Sequence, residues 1–476
     1  MQARTAQPSG LAHLVWRLLL LNVLPDNSNG GAATASGDFA TVFCDEDQMH
    51  VYQKNTVSSV SYIKVLAHRP KYNLRMLRLQ AFKFELMPNG EQARDMRRFA
   101  GSCRFVYNKA LAMQKDNHAQ GNKFIGYVSM AANLPIWKRD TGMKWLKKAP
   151  SQALQHTLKD LDKAYQNFFE KRAGFPSFKR RGSGDSFRYP EPKQIKLDEA
   201  NDRIFLPKLG WLRYRNSRDL KGAVRNVTIS QSGGKWFAAI QTQREVESPV
   251  PTSATAIGVD LGIARFVTMS DGGFILPLNS FKKHQQRLAR YQRRTSRKVK
   301  FSSNWKKAKA RVQKVHSRIA NARKDFLHKV TTTISQNHAL VCIEDLQVRN
   351  MSKSSKGTVE QPGKNVSQKS ALNRSILDQG WGEFRRQLGY KLSWSGGILL
   401  AMPPHYTSQT CPCCGHISKD NRQTQAQFLC VDCGYENHAD VVGAINVLAR
   451  GHRVLACGES AHSGRSMKQE PTESTA

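Results

Sequence analysis

Four cysteines are spaced to hold a metal ion. Cys411 and Cys414 in TCPCCG, and Cys430 and Cys433 in FLCVDCG, form two C-x2-C pairs fifteen residues apart, each followed by a glycine. Thiolates presented from two short hairpin tips in this way meet the tetrahedral demand of structural Zn2+. Three carboxylates stand out by where they sit. Asp260 lies in the apolar run AIGVDL, Glu344 ends the apolar run LVCIE, and Asp440 opens the amphipathic segment ADVVGAINVL seven residues after the last cysteine. An acid inside a hydrophobic strand is costly unless it is paired or binds metal. Two aspartates and a glutamate on separate elements are the hard-oxygen set that two-metal phosphodiester hydrolysis needs, with Mg2+ or Mn2+ ions about 4 Å apart. Each acid alone equally fits a solvated strand end or a salt bridge. Asp345, beside Glu344, should point to the opposite strand face. No histidine reads as a general base; His316, His338 and His438 read as surface or packing residues.

The chain as a whole is strongly cationic. Its 476 residues carry 74 Lys and Arg against 36 Asp and Glu, a net charge of +38 and a pI near 10.1. That excess calls for a polyanionic partner, and nucleic acid fits better than membrane because the charge is not confined to one amphipathic helix. The nine cysteines do not make a secreted disulfide framework: four belong to the zinc motif, and Cys103 and Cys342 fall in core-like patterns. A reducing, cytoplasmic setting follows. The apolar run LAHLVWRLLLLNVL is shorter than the ~20 residues that span a bilayer, and Arg17 interrupts it. Residues 1–75 are expected to be a disordered extension, with Met76 favoured as the start of translation.

Elements that could position these groups follow from the periodicity. LRLQAFKFEL alternates as a strand, and Met96, Phe99, Cys103, Val106, Ala110 and Met113 mark an amphipathic helix after PNGEQ. Leu154, Leu158, Leu161, Tyr165 and Phe168 mark another. Aromatic and basic residues alternate in FPSFKRRGSGDSFRY, where Phe175, Phe178, Phe187 and Tyr189 could stack on unpaired bases or fill a core. RIFLPKLGWLRYR and the hairpin NVTISQSGGKWFAAIQTQ return to strands. Residues 282–329 hold eighteen Lys and Arg and a single acid, Asp325, and read as one long basic helix. RNMSKSSKGTVEQPGKNVSQKS reads as a mobile polar segment. The helix around Trp381, Phe384, Leu388 and Leu392 then leads to the strand GILLAMPP.

In combination and order, GVDLG, CIEDL, SQTCPCCG with FLCVDCG, and HADVVGAINVL resemble the TnpB (OrfB) proteins of bacterial insertion sequences, relatives of the compact type V CRISPR effectors. The resemblance runs from about Met76 to Gly451. It implies an RNA-guided DNA endonuclease that binds a guide RNA and a target DNA. The implied fold is an α/β RNase H-like (RuvC) core with an inserted zinc ribbon, plus an N-terminal β-barrel-like wedge domain with a helical insertion. By that analogy Asp260, Glu344 and Asp440 match the catalytic Mg2+ or Mn2+ ligands, and Cys411, Cys414, Cys430 and Cys433 the zinc ligands. The implied layout is a wedge and recognition region at 76–250, with its helical insertion at about 90–178, and core segments I and II at 251–402 with a basic helix at 282–330. The zinc ribbon takes 403–437, core segment III 438–452, and a disordered tail 453–476. One departure stands at Val442, where the family usually has Asn; Gly443, Ala444 and Asn446 keep the pattern.

Two other readings fit the sequence less well. A cleavage-inactive, RNA-guided or zinc-ribbon DNA-binding regulator is disfavoured because all three acids are intact. A strand-joining tyrosine transposase needs a His-hydrophobe-His motif and a catalytic Tyr, whereas His405 and Tyr406 form an isolated pair.

Overall fold

The computed structural model describes residues 75–457, so the readings made for the N-terminal extension and for the tail beyond 457 lie outside the described residues. Within the described residues, 453–457 belong to the last helix, which runs on to Cys457, and not to a tail.

The first half is built on seven antiparallel strands: β1 (Arg75–Met87), β2 (Ser186–Tyr189), β3 (Lys196–Asp198), β4 (Arg203–Leu206), β5 (Gly210–Arg215), β6 (Ala223–Ser232) and β7 (Lys235–Glu247), in the order β2-β6-β7-β1-β5-β4-β3. The ladder does not close among the described residues, because β2 and β3 each pair with one neighbour, so the expected barrel is an open sheet in its hydrogen bonding. β1 pairs with β7 from Arg75↔Glu247 to Leu86↔Trp236, turning Phe82, Phe84 and Leu86 inward at every second position. Gly233 and Gly234, at φ +59° and +85°, make the tight turn between β6 and β7.

Between β1 and β2 lie three helices, α1 (Gly90–Ala119), α2 (Tyr127–Arg139) and α3 (Ser151–Phe169). Asn89 caps α1 in a reciprocal capping box with Gln92. The buried stripes of α1 and α3 join the sheet in one core with Phe84, Tyr189 and Tyr214. Helix α2, with Pro135 inside it, has no counterpart in the sequence reading. Phe187 and Tyr189 belong to this core, whereas Phe175 and Phe178 are exposed with the Lys115 ammonium over both rings at 5.5 and 4.8 Å.

The second half carries a five-stranded mixed sheet: β8 (Ala256–Asp260), β9 (Val267–Met269), β10 (Phe274–Ile275), β11 (Leu340–Glu344) and β12 (Ile398–Met402), in the order β10-β9-β8-β11-β12. β8, β11 and β12 are parallel to one another; β9 and β10 complete an antiparallel meander. The connection from β10 to β11 contains helices α4 (Ser280–Ser296) and α5 (Ser303–Asn337), which pack together as a hairpin. This corrects the single basic helix. Phe301 takes a left-handed φ of +70°, and the Ser302 hydroxyl accepts from the Trp305 N–H to start α5, so the chain reverses without proline or glycine.

A second correction concerns the segment read as mobile. Its end forms helix α6 (Val366–Gln379), whose Asp378 is buried. That carboxylate accepts from the Ser280 hydroxyl and the Phe281 N–H at the start of α4, and from Arg323 of α5 at 2.6 Å. It therefore caps one arm of the hairpin and pairs with the other. Helix α7 (Trp381–Ser395) and α5 cover one face of the sheet, burying Ile257, Val259, Val341 and Ile343. Helix α8 (Ala439–Cys457) covers the opposite face. No helix among the described residues is long and apolar enough to cross a membrane.

Candidate active site

The three carboxylates lie near one another where α8 crosses the sheet, close enough for Glu344 and Asp440 to act on Asp260. β8 and β11 run parallel in register through Val259↔Ile343, so Asp260 and Glu344 end adjacent strands at the same level. Alternation sends the residues at 257, 259, 341 and 343 to the α5–α7 face, and those at 258, 260, 342 and 344 to the α8 face. Asp440 lies in the first turn of α8.

What brings the helix down onto the acids is an absence of side chains. A Cβ on Gly258 would sit 2.0 Å from the Ala444 carbonyl oxygen, and one on Gly451 would sit 2.1 Å from the Cys342 sulfur. A Cβ built on Gly443 would lie 3.7 Å from the Asp260 carboxylate, which places that turn of α8 directly over the acid.

The electrostatics follow from this packing. Burial, then the nearby charges of Glu344 and Asp440, push the Asp260 carboxyl up to about 7. Burial also raises Glu344, partly offset by a hydrogen bond from the Thr407 hydroxyl at 2.7 Å and by the charges of Arg450 and Arg422. The Arg422 guanidinium stands 3.8 Å from Asp440 and is the nearest cation to it. His438, read from sequence as a surface or packing residue, lies beside the site: its Nδ1 accepts from the Asp440 N–H at 3.2 Å and is 3.9 Å from the carboxylate. Asp345 turns away and pairs with Arg385.

Clustered hard oxygen donors whose negative charge is only partly offset by arginines are the chemistry that a Mg2+ or Mn2+ site requires. The carboxylates are set more openly than a single-ion cage. Among the described residues only the four cysteines form a group of three or more potential ligands close enough to share one ion as they stand.

Those cysteines lie in a small ribbon whose strands β13 (Gln427–Leu429) and β14 (Glu436–His438) pair antiparallel. The sulfurs of Cys411 and Cys433, and of Cys414 and Cys430, are 3.6 Å apart, and all four fall within 4.8 Å of one another. A regular tetrahedron with Zn–S bonds near 2.3 Å has edges of about 3.8 Å, so the donors fit the ion. Each knuckle repeats one pattern: the Gly415 N–H returns to the Cys411 carbonyl, and the Gly434 N–H to that of Cys430, both at 3.0 Å with φ near +80° and +71°. Cys413 is exposed and stands outside the quartet.

The ribbon and α8 share a core. Val442, the residue that departs from the family pattern, is fully buried against Cys411, Phe428, Cys430 and Ala439. An apolar side chain suits this position because it faces the ribbon interior rather than the carboxylates. Asn421, also fully buried, bonds the carbonyls of Gln409 and His416 and the Val431 N–H, tying the two knuckles together.

Thr407, Arg422, His438 and Asn446 are the neighbours that sequence reading did not assign to the site. Their contacts span from two to sixty-three residues of chain and leave no periodic trace. Asn446 could have been suspected as a polar residue amid the apolar run GAINVL.

The family models that match are described as "Probable transposase" (OrfB_IS605, residues 239–355), "Cas12f1-like, TNB domain" (381–447) and "Helix-turn-helix domain" (76–123). The last of these regions is one strand and one continuous helix here, β1 and α1. A protein of Escherichia coli (strain K12) named "Putative RNA-guided DNA endonuclease InsQ" is 61% identical over 398 residues, covering 84% of this chain and 98% of its own. A Streptomyces pristinaespiralis protein named "Putative RNA-guided DNA endonuclease" is 35% identical over 83% of this chain and 97% of its own. A "CRISPR-associated endodeoxyribonuclease Cas12f1" of Sulfoacidibacillus thermotolerans is 23% identical over 74% and 91%. With such identity across nearly the whole length of its relatives, this chain belongs to the TnpB (OrfB) family of insertion-sequence proteins.

Proposed function

We propose that this protein is an RNA-guided DNA endonuclease of an insertion sequence, cutting DNA at a site built from Asp260, Glu344 and Asp440. One observation carries the reading: Glu344 and Asp440, from remote segments, lie near enough to Asp260 for their charges to act on its carboxyl, in a chain whose net charge is +38. The names of its relatives point the same way. The strand order, with parallel β8, β11 and β12 flanked by an antiparallel meander and a helix on each face, supports an RNase H-like core.

In this reading Asp260, Glu344 and Asp440 hold a pair of Mg2+ or Mn2+ ions, which supply Lewis acidity toward the scissile phosphodiester. The chain's own groups do the rest. Arg422 and Arg450 bring positive charge to the edge of an anionic site, where a DNA phosphate must approach carboxylates. Cys411, Cys414, Cys430 and Cys433 hold a structural Zn2+ that keeps the ribbon folded under the start of α8. The hairpin of α4 and α5 offers a cationic surface to nucleic-acid backbone, for which a sequence-blind grip suffices when base pairing with the guide selects the target. The segment from β1 to β7 is the candidate guide-binding and recognition region. A cytoplasmic location, on the nucleoid when bound to DNA, accords with thiolate zinc ligands.

Purification with co-bound RNA, sequencing of that RNA, and cleavage of matched DNA with and without Mg2+ test the proposal. Matched DNA should be cut, mismatched DNA spared, and Asp260→Ala inactive with its RNA retained. Guide-independent cutting, or normal cutting by Asp260→Ala, would overturn it.

A further inference from the structure

We infer that Thr407 is a positioning residue for Glu344, and that Asn446 holds it in place, so one helix sets the geometry of all three acids. The inference rests on the carboxylate site proposed above.

The contacts form a continuous relay. The Thr407 hydroxyl donates to Glu344 Oε1 at 2.7 Å, with the Pro404 carbonyl as a weaker alternative at 3.2 Å. A hydroxyl has one hydrogen, and the charged acceptor takes it. Donation to one carboxylate oxygen fixes the plane of the group and leaves Oε2 free for a cation. Thr407 is in turn immobilised from behind. The Asn446 amide donates to the carbonyls of Thr407 and Thr410, both at 2.7 Å, spending its two hydrogens on this loop. Thr407 and Asn446 are both buried, at 3% and 7% exposure. The preceding residue, Tyr406, is held at φ +56°, a strained backbone for a tyrosine, and its carbonyl accepts from the Gln409 and Thr410 N–H groups. The loop is thus clamped into one shape on both sides of the hydroxyl.

Asn446 lies on α8, as do Asp440 and Gly443. The helix supplies Asp440 directly, covers Asp260 through Gly443 and reaches Glu344 through Asn446 and Thr407. The loop also ends at Cys411, so the zinc knuckle and the Glu344 donor belong to one short stretch of chain.

The test uses the full chain with its co-purified RNA. Mn2+ affinity is measured by electron paramagnetic resonance for wild type, Thr407→Val, Thr407→Ser and Asp260→Asn, with zinc content and Tm measured in parallel. Loss of a hydrogen-bond partner behind a ligand typically costs 10–100-fold in metal affinity, and Thr407→Val should weaken Mn2+ by about that much while zinc stays bound. Thr407→Ser, which keeps the hydroxyl, should return to within about threefold of wild type. Wild-type affinity in Thr407→Val would overturn the inference. So would a Thr407→Ser protein that keeps its zinc yet binds Mn2+ as poorly as the valine variant, because packing rather than the hydroxyl would then be responsible. If Asp260→Asn leaves Mn2+ binding intact, the carboxylate site itself falls, and the inference with it.

Discussion

The basic hairpin and the carboxylate site use charge in opposite ways. Along α4, α5 and the turn that joins them the eighteen cations of residues 282–329 are spread out and mostly exposed, with the one acid, Asp325, paired to Lys329 at the surface. Each contributes a small, salt-screened share to a surface that no single residue defines. At the active-site end, three acids gather where a helix meets the sheet, and burial, reinforced by the charges of Glu344 and Asp440, moves Asp260 to about 7. Distributed charge tolerates loss; concentrated charge does not. The two regions should therefore answer mutation on very different scales.

The widest separation is expected at the acids. Asp260→Ala, Glu344→Ala or Asp440→Ala should each lower cleavage by about 10³-fold or more while leaving guide RNA bound, measured by cleavage rate and RNA content together. A graded loss similar to that of a surface lysine would erase the contrast. Cys430→Ser follows: zinc should be lost, the ribbon should unfold, and cutting should drop to background through disorder at Asp440. Normal cutting by that variant without zinc would remove the ribbon from the account.

Next comes pH. The native Asp260 holds its proton up to about 7, whereas an unfolded Asp releases it near 3.8. Between those values the native form binds more protons, so this group's contribution to stability is fullest at low pH and declines as pH rises through 7. The Tm of metal-free protein should fall between pH 5.5 and 8 by more than in Asp260→Asn, and Mn2+ at pH 8 should restore it. An equal pH profile in the two proteins would mean that burial and neighbouring charge do not raise the Asp260 carboxyl.

Asp378 tests the hairpin from its buried side. Asp378→Ala removes the cap of α4 and strands Arg323, and should destabilise by about 3 kcal/mol in a denaturant titration. Smallest of all, Lys306→Ala or Lys309→Ala should weaken nucleic-acid binding only slightly, each reducing the salt slope by about one.

Asp260 and Glu344 were conspicuous in the sequence because strands that are apolar throughout make a single acid stand out, whereas Asp440, at a helix start, stood out only beside the zinc motif. The cysteines were conspicuous because thiolate spacing is nearly diagnostic. The helical reversal at Phe301 was not, since its sequence contains neither proline nor glycine and keeps the cationic composition of its flanks. Helix α6 was hidden for a related reason: VSQKSALNRSILDQ buries few of its side chains, so its amphipathic signal is faint. The contact of His438 with the Asp440 N–H was not legible because it depends on the turn into α8, nor was that of Thr407, whose partner lies sixty-three residues earlier in the chain.

The junction between β14 and α8 has a consequence for engineering. His438 ends the strand and Ala439 begins the helix, with no residue between them. A helix advances about 100° per residue, so inserting even one amino acid at this seam would force either the ribbon or Asp440 to swing by that angle. Ribbons transplanted from other proteins should function only when their final strand delivers the chain in the same rotational phase, however well they bind zinc.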